Sequence, residues 1–299
     1  MERARRSLLY KIHGIRFIET SKIVKLITAE RLASTTKRLD KCSADIARLF
    51  NSSGLSNKLP IRDKICLEIG SGWVLSHSCV LFLLGAKKVI ATDIERNACP
   101  KTLRKSIQKS NMSNICEILA PFEEKRMIRA RLKRLFEIKA FSFHELEELH
   151  IKYLAPIDLA VNPLGTKVDF ILSLSVLEHV PVSDVLPLLR NLAHSLSSGG
   201  TMIHAVHLED HKDCRNAPFD FLGEPENKFT RKMQNIRGNR LRRSNWRSIL
   251  SEVDSMQFRF VREGQRKDKN LPKFIDPSIH YIDEKDLRTS HLLILGTKK

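Results

Sequence analysis

The sequence lacks any apolar run long enough to cross a membrane. Its longest apolar runs, at residues 79–84 and 292–295, are far shorter than the roughly 20 residues that a transmembrane helix needs. The basic residues at the N-terminus are not followed by a compact apolar segment with a small-residue cleavage site, so a secretory signal is not expected. These absences favour a soluble, globular chain.

Paired cysteines are also absent. The six cysteines are single and scattered, no two form a C-x-x-C pair, and several lie inside apolar patterns. Such cysteines are typical of reduced core residues and not of a disulfide framework. We therefore expect the protein to be cytoplasmic.

Aromatic residues make up only 6% of the chain, whereas the formal net charge is +18. A basic field of this size attracts polyanions such as RNA, DNA or an anionic membrane face. The shortage of aromatic rings leaves few platforms on which bases could stack, and solvated basic helix faces would give the same charge. Nucleic acid is therefore a candidate partner, on charge alone.

The rest of the chain alternates between predicted strands and helices. Strands are expected near residues 64–69, 88–93, 116–119, 168–173, 201–207, 258–260 and 290–296, with helical patterns between most of them. This rhythm is typical of strands joined by helical crossovers, which run parallel. The sequence predicts an α/β fold: a Rossmann-like, mostly parallel sheet of seven strands with helices on both faces.

Three segments stand outside this alternation. Helical patterns before the first strand predict an N-terminal helical lid over residues 1–60, with the Rossmann-like domain occupying residues 61–299. Residues 122–150 combine basic residues with apolar ones at helical spacing, which predicts a basic amphipathic insertion. Residues 208–243 are polar and basic, and they form a second expected insertion, which we call the cap.

A glycine-rich loop follows the first predicted strand and precedes a helix. The segment consists of Glu68, Ile69, Gly70, Ser71 and Gly72. Glycines at such a place let a ligand approach the backbone, because they have no Cβ. Asp93 ends the next strand about 20 residues later, where a carboxylate can accept hydrogen bonds from both hydroxyls of a ribose. Loop and acid together predict a nucleoside-containing cofactor.

Residue chemistry distinguishes two such cofactors. A dinucleotide fingerprint, G-x-G-x-x-G, requires glycine at position 75, which is Leu75 here. Glu68 would also place a negative charge beside a pyrophosphate, whereas S-adenosylmethionine carries an ammonium and a sulfonium group. The sequence therefore predicts S-adenosylmethionine.

These residues resemble class I S-adenosylmethionine-dependent methyltransferases over about residues 64–207, and in particular uncharacterised bacterial members with an S-x-x-LEHV motif. Residues 67–72 resemble motif I, residues 85–93 the strand that follows it, and residues 168–180 motif IV with its LEHV continuation. In that family the glycines cradle the methionine and ribose parts, and the acid corresponding to Asp93 holds the ribose. Val74 stands where a third glycine is frequent.

The resemblance implies further contacts to the cofactor. Asp158 occupies the place at which many relatives present an acid or amide to the adenine, and an exposed loop acid is the equal alternative. Ile94, directly after Asp93, and Ser173, at the end of the fourth predicted strand, are also expected to bind the cofactor.

Methyl transfer is an in-line displacement at a sulfonium carbon, so the enzyme must align the acceptor and, for a hydroxyl, remove its proton. Candidate catalytic residues at the strand ends are His207, Asp210 and His179. A histidine with a pKa near its ordinary value of about 6.5 suits the role of base.

Metal ligation is a competing use of Glu178, His179 and His207. Divalent-dependent RNA 2'-O-methyltransferases of small-RNA ends carry E-x-x-E-H at this strand end and a histidine further on. Ser175 replaces the first acid here, so we expect no complete metal site, although Asp210 or His211 could supply another ligand. The plainer alternative is that Glu178 and His179 support the cofactor pocket.

The class of methyl acceptor is limited mainly by motifs that the sequence lacks. Residues 173–176 contain neither Asn-Pro-Pro-Tyr nor Asp-Pro-Pro-Tyr nor a Pro-Cys pair, which disfavours amino-base and cytosine-C5 methylation. Basic residues of the cap could bind a phosphate or carboxylate or could face water, namely Arg237, Arg240, Arg242 and Arg243. We predict methylation of a hydroxyl or other heteroatom of a small molecule or glycan; RNA methylation and a noncatalytic cofactor-binding subunit are the alternatives.

Overall fold

The computed structural model describes residues 22–55, 60–139 and 141–299, which contain a seven-stranded sheet in the order β3-β2-β1-β4-β5-β7-β6. The strands are β1 (Ile65–Ile69), β2 (Lys88–Thr92), β3 (Ile151–Leu154), β4 (Val168–Leu174), β5 (Leu196–His207), β6 (Met256–Gln265) and β7 (Thr289–Lys298). Neighbouring strands are parallel except that β7 runs antiparallel to both β5 and β6. The predicted α/β class and the mostly parallel sheet are confirmed.

Helices connect the strands, and two of the described helices precede β1. They are α1 (Lys22–Ser34), α2 (Leu39–Ser53), α3 (Ser76–Leu83), α4 (Pro100–Gln108), α5 (Met112–Leu119), α6 (Lys125–Glu137), α7 (Phe143–Glu148), α8 (Val182–Ser195), α9 (Arg231–Arg237), α10 (Arg243–Ser251) and α11 (Glu284–Leu287). Within the described ranges, none of these is both long and apolar enough to cross a membrane.

Apolar cores cover both faces of the sheet. On one face, Phe50 of α2 packs edge to face against Phe170 of β4, with 5.8 Å between ring centroids, and α3 to α7 add to the same cluster. On the other face, Leu189 of α8 and Trp246 of α10 are fully buried against β1, β4 and β5. Helices therefore lie on both faces, as the sequence predicts.

Helix α2 belongs to the first of these cores. Leu39, Cys42, Ile46 and Phe50 are fully buried along one side of the helix, which explains the helical spacing of apolar residues there. Residues 1–21 of the predicted lid lie outside the described residues. A lid function for residues 1–60 stays a prediction.

The third strand lies elsewhere than predicted. Residues 116–119, expected as a strand, belong to α5, because Asn111 caps that helix by accepting a hydrogen bond from the Asn114 N–H, and its buried residues share one helical face. Strand β3 follows at residues 151–154, with buried and exposed side chains alternating. Residues 122–150 therefore lie within the connection between β2 and β3, and they include the expected basic amphipathic helix as α6.

Four parallel strands end at one edge of the sheet. Gly70 follows β1, Asp93 follows the end of β2, Ser175 follows β4 and Leu208 follows β5. The chain runs outward from β1 through β2 to β3, and then returns to place β4 on the other side of β1. Ligands of open α/β sheets bind in the crevice that such a reversal creates. The candidate site lies there.

Candidate functional site

The loop after β1 requires glycine at two positions. Gly70 has φ 65° and Gly72 has φ 67°, in the left-handed region that side chains disfavour. A Cβ on Gly70 would also lie 2.4 Å from Cγ2 of Val176, which is far too close. The loop therefore packs its backbone directly against the segment that follows β4.

Asp93 is bonded to this loop. Its Oδ2 accepts a hydrogen bond from the Gly72 N–H at 2.8 Å and its Oδ1 accepts one from the Glu95 N–H at 3.0 Å. Burial raises the pKa of Asp93, as do the charges of Glu95 and Glu68, whereas these two hydrogen bonds oppose the rise. Each oxygen retains a lone pair for a further donor. Loop and acid thus form one structure, which we call the cradle.

Ile94 and Asp158 flank the cradle. Ile94 is 63% exposed, which leaves a large apolar side chain directly after the acid. The Ile157 N–H donates to the Asp93 carbonyl at 2.9 Å and so brings Asp158 to the same edge, where its Oδ1 accepts from the Ala160 N–H at 2.9 Å. The two predicted cofactor residues therefore lie beside Asp93.

Glu68 lies beneath the loop. Its carboxylate is buried, accepts a hydrogen bond from the Ser78 hydroxyl of α3, and has its Oε1 3.6 Å from Nδ1 of His77. The other ring nitrogen of His77, Nε2, lies 3.7 Å from Oδ2 of Asp45 in α2. Glu68 therefore places negative charge behind the loop, supported by two helices.

The two serines of the predicted cofactor site differ. The Ser173 hydroxyl is fully buried and lies 2.7 Å from Nδ1 of His204, so this side chain is engaged inside the sheet. Burial lowers the pKa of His204 to about 3, so its ring is neutral. The buried Ser71 hydroxyl, in contrast, has no hydrogen-bond partner in the described part of the chain. Ser71 is thus the serine with bonding capacity left.

A polar cluster follows β4 and β5 on the opposite side of the crevice. Glu178, in the 3-10 turn Leu177–His179, is 1% exposed. Burial raises the pKa of Glu178 to about 8, although the backbone N–H groups of Glu178 itself and of His207 act to lower it. His211 of the cap places Nε2 3.6 Å from Oε1 of Glu178. Burial lowers the pKa of His211 to about 3, and the charges of the neighbouring His179 and His207 add a smaller effect in the same direction.

Three imidazole rings gather at this point. The rings of His179 and His211 have centroids 4.5 Å apart, and those of His207 and His211 lie 6.1 Å apart. His207 is exposed at the end of β5. The structure therefore brings together two of the predicted catalytic residues, His179 and His207, and adds His211 from the cap.

Asp210, the third predicted catalytic residue, is held in an ion pair. Its oxygens accept from Nε and Nη2 of Arg237 at 3.0 and 2.5 Å, and both side chains are buried. Arg237 also donates to Glu224 at 2.8 and 2.7 Å. In this arrangement Asp210 fixes the shape of the cap and its carboxylate is not directed to an acceptor.

The arginines of the cap correct an expectation. Their guanidinium groups are already bonded to other parts of the protein. Arg242 is fully buried and donates to the backbone carbonyls of Arg240, Leu287 and Leu208. Arg240 donates to the Glu224 carbonyl at 2.6 Å and lies over the ring of Phe229, and Arg243 pairs with Glu263. These side chains fasten the cap to the domain. Acidic and aromatic residues within the same segment were the signal for this role.

Asn239 is a site residue of the cap to which the sequence analysis assigned no role. Its side-chain amide donates to the carbonyls of Leu177 at 3.0 Å and Val180 at 2.9 Å, and its own N–H donates to the Glu178 carbonyl at 2.7 Å. The cap is thereby bonded to the turn that carries Glu178 and His179, which keeps His211 above them.

No family model and no curated protein matches the chain. A similar solved structure is a magnesium protoporphyrin IX methyltransferase from Synechocystis PCC 6803 with bound S-adenosylhomocysteine (14% identity, 87% of this chain and 83% of that chain, TM-score 0.41). Another is a putative S-adenosylmethionine-dependent methyltransferase from Listeria monocytogenes (13% identity, 85% and 99%, TM-score 0.44). Similarities as weak as these carry no conclusion about activity.

Proposed function

We propose that the chain is an S-adenosylmethionine-dependent methyltransferase, an enzyme of class EC 2.1.1. The observation that carries the proposal is the 2.8 Å hydrogen bond between the Gly72 N–H and Oδ2 of Asp93. It joins a left-handed glycine loop and an acid suited to ribose at the point where the strand order reverses.

The charge around the loop supports this cofactor over a dinucleotide. Leu75, at the position of the third glycine in a dinucleotide fingerprint, is buried. Glu68 places its carboxylate behind the loop, where it would repel a pyrophosphate and attract a cationic ligand. S-adenosylmethionine, which carries ammonium and sulfonium groups and no pyrophosphate, suits both the side chain at position 75 and the charge of Glu68.

Each part of the cofactor has a candidate partner. The loop backbone would hold the methionine part, Asp93 the ribose hydroxyls, and the exposed side chain of Ile94 one face of the adenine. Asp158, held beside Asp93, is placed for the adenine amino group. The unpartnered Ser71 hydroxyl offers one more hydrogen bond inside the loop.

The acceptor, in this proposal, is a hydroxyl group of a small molecule or glycan. Opposite the cradle, the ends of β4 and β5 and the cap carry a cluster that we call the mouth, formed by Glu178, His179, His207 and His211. Such side chains hydrogen-bond hydroxyls readily. His207 is the proposed base, because it ends β5 beside the cluster, with its ring centroid 6.1 Å from that of His211. Asp210 acts as a positioning residue through Arg237.

RNA is the second candidate acceptor, and the net charge of +18 favours it. The exposed basic face of α6, however, lies at the other edge of the sheet. Arg131 of α6 donates to the Leu83 carbonyl and to Glu123, which also binds Arg62 just before β1. These contacts are at the amino ends of β1 and β2, about 16 Å from the cradle for a strand of five residues.

Calorimetric titration with S-adenosylmethionine and S-adenosylhomocysteine tests the cofactor. Asp93→Ala is expected to weaken binding about 10- to 100-fold, because charge-assisted hydrogen bonds to the ribose contribute roughly 1.5–3 kcal/mol. Glu95→Ala is the matched control, since it removes the same charge two positions away while its backbone N–H still bonds Asp93. NADH serves as the control ligand.

The outcomes separate the alternatives. If folded wild-type protein binds neither ligand, the proposed function is wrong. If it binds them but transfers no radiolabelled methyl group to any member of a panel of hydroxylated small molecules, glycans and RNAs, the noncatalytic subunit is favoured. Transfer to RNA that falls steeply with added salt would favour the RNA alternative, because that dependence marks phosphate contacts.

A further inference from the structure

Four buried atoms converge at the mouth without hydrogen-bond partners among the described residues. They are both carboxylate oxygens of Glu178, Nδ1 of His179 and Nε2 of His211. Buried polar atoms are almost always bonded, so a group of unpaired ones in a single place requires a ligand or bound water. One ligand atom from each residue lies within 4.8 Å of the other two.

We propose that Glu178, His179 and His211 bind a divalent transition-metal cation of the zinc, cobalt or manganese type. Oε1 of Glu178 and Nε2 of His211 are 3.6 Å apart, close to the roughly 3.4 Å expected between two ligands that each lie about 2.1 Å from a tetrahedral ion. Two imidazoles and one carboxylate form a ligand set that such ions accept while keeping coordination positions open.

The surroundings hold these ligands in place. Asn239 fixes the backbone of the turn that carries Glu178 and His179 through three hydrogen bonds. The backbone N–H of His211 donates to the Arg237 carbonyl at 3.1 Å, and Arg237 is itself held by Asp210. Partners of this kind orient metal ligands and account for a large part of metal affinity.

The sequence analysis set aside a metal site of Glu178, His179 and His207, and named Asp210 or His211 as the source of a further ligand. Position 175, where an E-x-x-E-H motif has its first acid, is a serine, so the three ligand positions of that motif yield only Glu178 and His179. The missing ligand comes instead from the cap, which folds back and brings His211 over Glu178. The site is formed by tertiary contact between the cap and the turn after β4.

The consequence for chemistry rests on the proposed function. The open positions of the ion would receive the acceptor hydroxyl, because a divalent cation lowers the pKa of a coordinated oxygen acid. The proton passes from that hydroxyl to His207. A lone pair of the oxygen then attacks the methyl carbon, the C–S bond breaks, and its electron pair stays on sulfur, which leaves neutral S-adenosylhomocysteine. The acceptor class is thus a molecule that presents a hydroxyl to a metal ion.

Cobalt titration of chelator-treated full-length protein tests the site. We expect a saturable visible absorption band at about one Co²⁺ per chain, displaced by Zn²⁺. His211→Ala and Glu178→Gln should each weaken binding by at least ~100-fold, since losing a ligand exceeds the loss from an outer partner. His144→Ala, at an exposed histidine of α7 outside the cluster, should bind as the wild type does.

Two controls make the result decisive. Circular dichroism checks the fold of every variant, and if Glu178→Gln unfolds, the partly exposed His211→Ala still tests the site. The inference is overturned if folded wild-type protein gives no saturable band, or if His211→Ala leaves the band unchanged. Calorimetry with S-adenosylhomocysteine on the same samples separates the two proposals: cofactor binding without metal binding refutes only the metal site, and metal binding without cofactor binding refutes only the proposed function.

Discussion

Replacing Gly70 with alanine tests how tightly the cofactor loop packs on the segment after β4. The new Cβ would lie 2.4 and 2.9 Å from the two Cγ atoms of Val176. At Gly199, which has a similar φ of 71°, a Cβ would meet nothing within 4 Å. Gly199→Ala is therefore a matched control that carries the same backbone strain without the clash.

The two variants differ by the cost of the clash. A left-handed alanine costs about 1–2 kcal/mol in either place, partly offset by the lower entropy of the unfolded alanine chain. Forcing an extra carbon into a packed position adds about 1–3 kcal/mol. We expect Gly70→Ala to lower the free energy of unfolding by roughly 1–3 kcal/mol more than Gly199→Ala does, and to weaken S-adenosylhomocysteine binding, which Gly199→Ala should leave unchanged.

Urea denaturation and calorimetry measure these effects, and a second substitution identifies their cause. In the double variant Gly70→Ala, Val176→Ala, the methyl groups that clash are gone, so the loss should be smaller than the sum of the two single losses. Equal destabilisation by the two glycine variants, or strict additivity in the double variant, would refute the close packing of loop and turn.

Three further predictions concern stability and the cofactor. Asp210→Asn removes one of the two carboxylates that pair with the buried Arg237, while Glu224 still accepts from it, and should cost about 1.5–3 kcal/mol of unfolding free energy in urea denaturation. Arg190→Gln, at the exposed pair with Glu252, should cost under about 1 kcal/mol, and equal costs would contradict the structural role of Asp210. The pKa of Glu123 is lowered, because hydrogen bonds from Arg62 and Arg131 outweigh the opposing effect of its burial. The stability that Glu123 contributes is therefore full above its ordinary pKa of 4.5 and is lost as the pH falls through the lowered value. Accordingly, the difference in unfolding free energy between wild type and Glu123→Gln at neutral pH should shrink in acid, and a difference independent of pH would contradict the ion pairs. Ile94→Ser should weaken S-adenosylhomocysteine binding by about 1 kcal/mol of lost apolar contact while changing stability by less than about 0.5 kcal/mol; unchanged affinity by calorimetry would remove Ile94 from the adenine site.

The parts of the fold that the sequence predicted are those with strong local signals. β1, β2, β4 and the second half of β5 are short, largely apolar segments followed by glycines, acids or polar residues, so their place in a buried parallel sheet follows from composition. The short run at residues 116–119 carried no such signal, because a few apolar residues fit a helix face as well as a strand. β3 was missed because only two of its four residues point inward.

The cofactor cradle could be predicted, whereas the opposite side of the crevice could not. Glycines and Asp93 are close to one another through neighbouring parallel strands, which the alternation alone implies. The environments of His211, Asp210 and Arg242 depend on how the cap folds back over the turn after β4. No local pattern encodes that path, so charged residues that looked free for a ligand proved to be bonded to other residues of the cap or to the domain beneath it.

The position of Arg242 bears on how molecules reach the crevice. Its guanidinium links the last residues of the cap to Leu208, where the cap begins, and to Leu287 before β7. Swinging the cap outward would break the hydrogen bonds of this fully buried guanidinium, at a cost in free energy. Arg242 therefore ties the end of the cap to its beginning and to the segment before β7. We therefore expect a ligand of the crevice to bind without an outward movement of the cap.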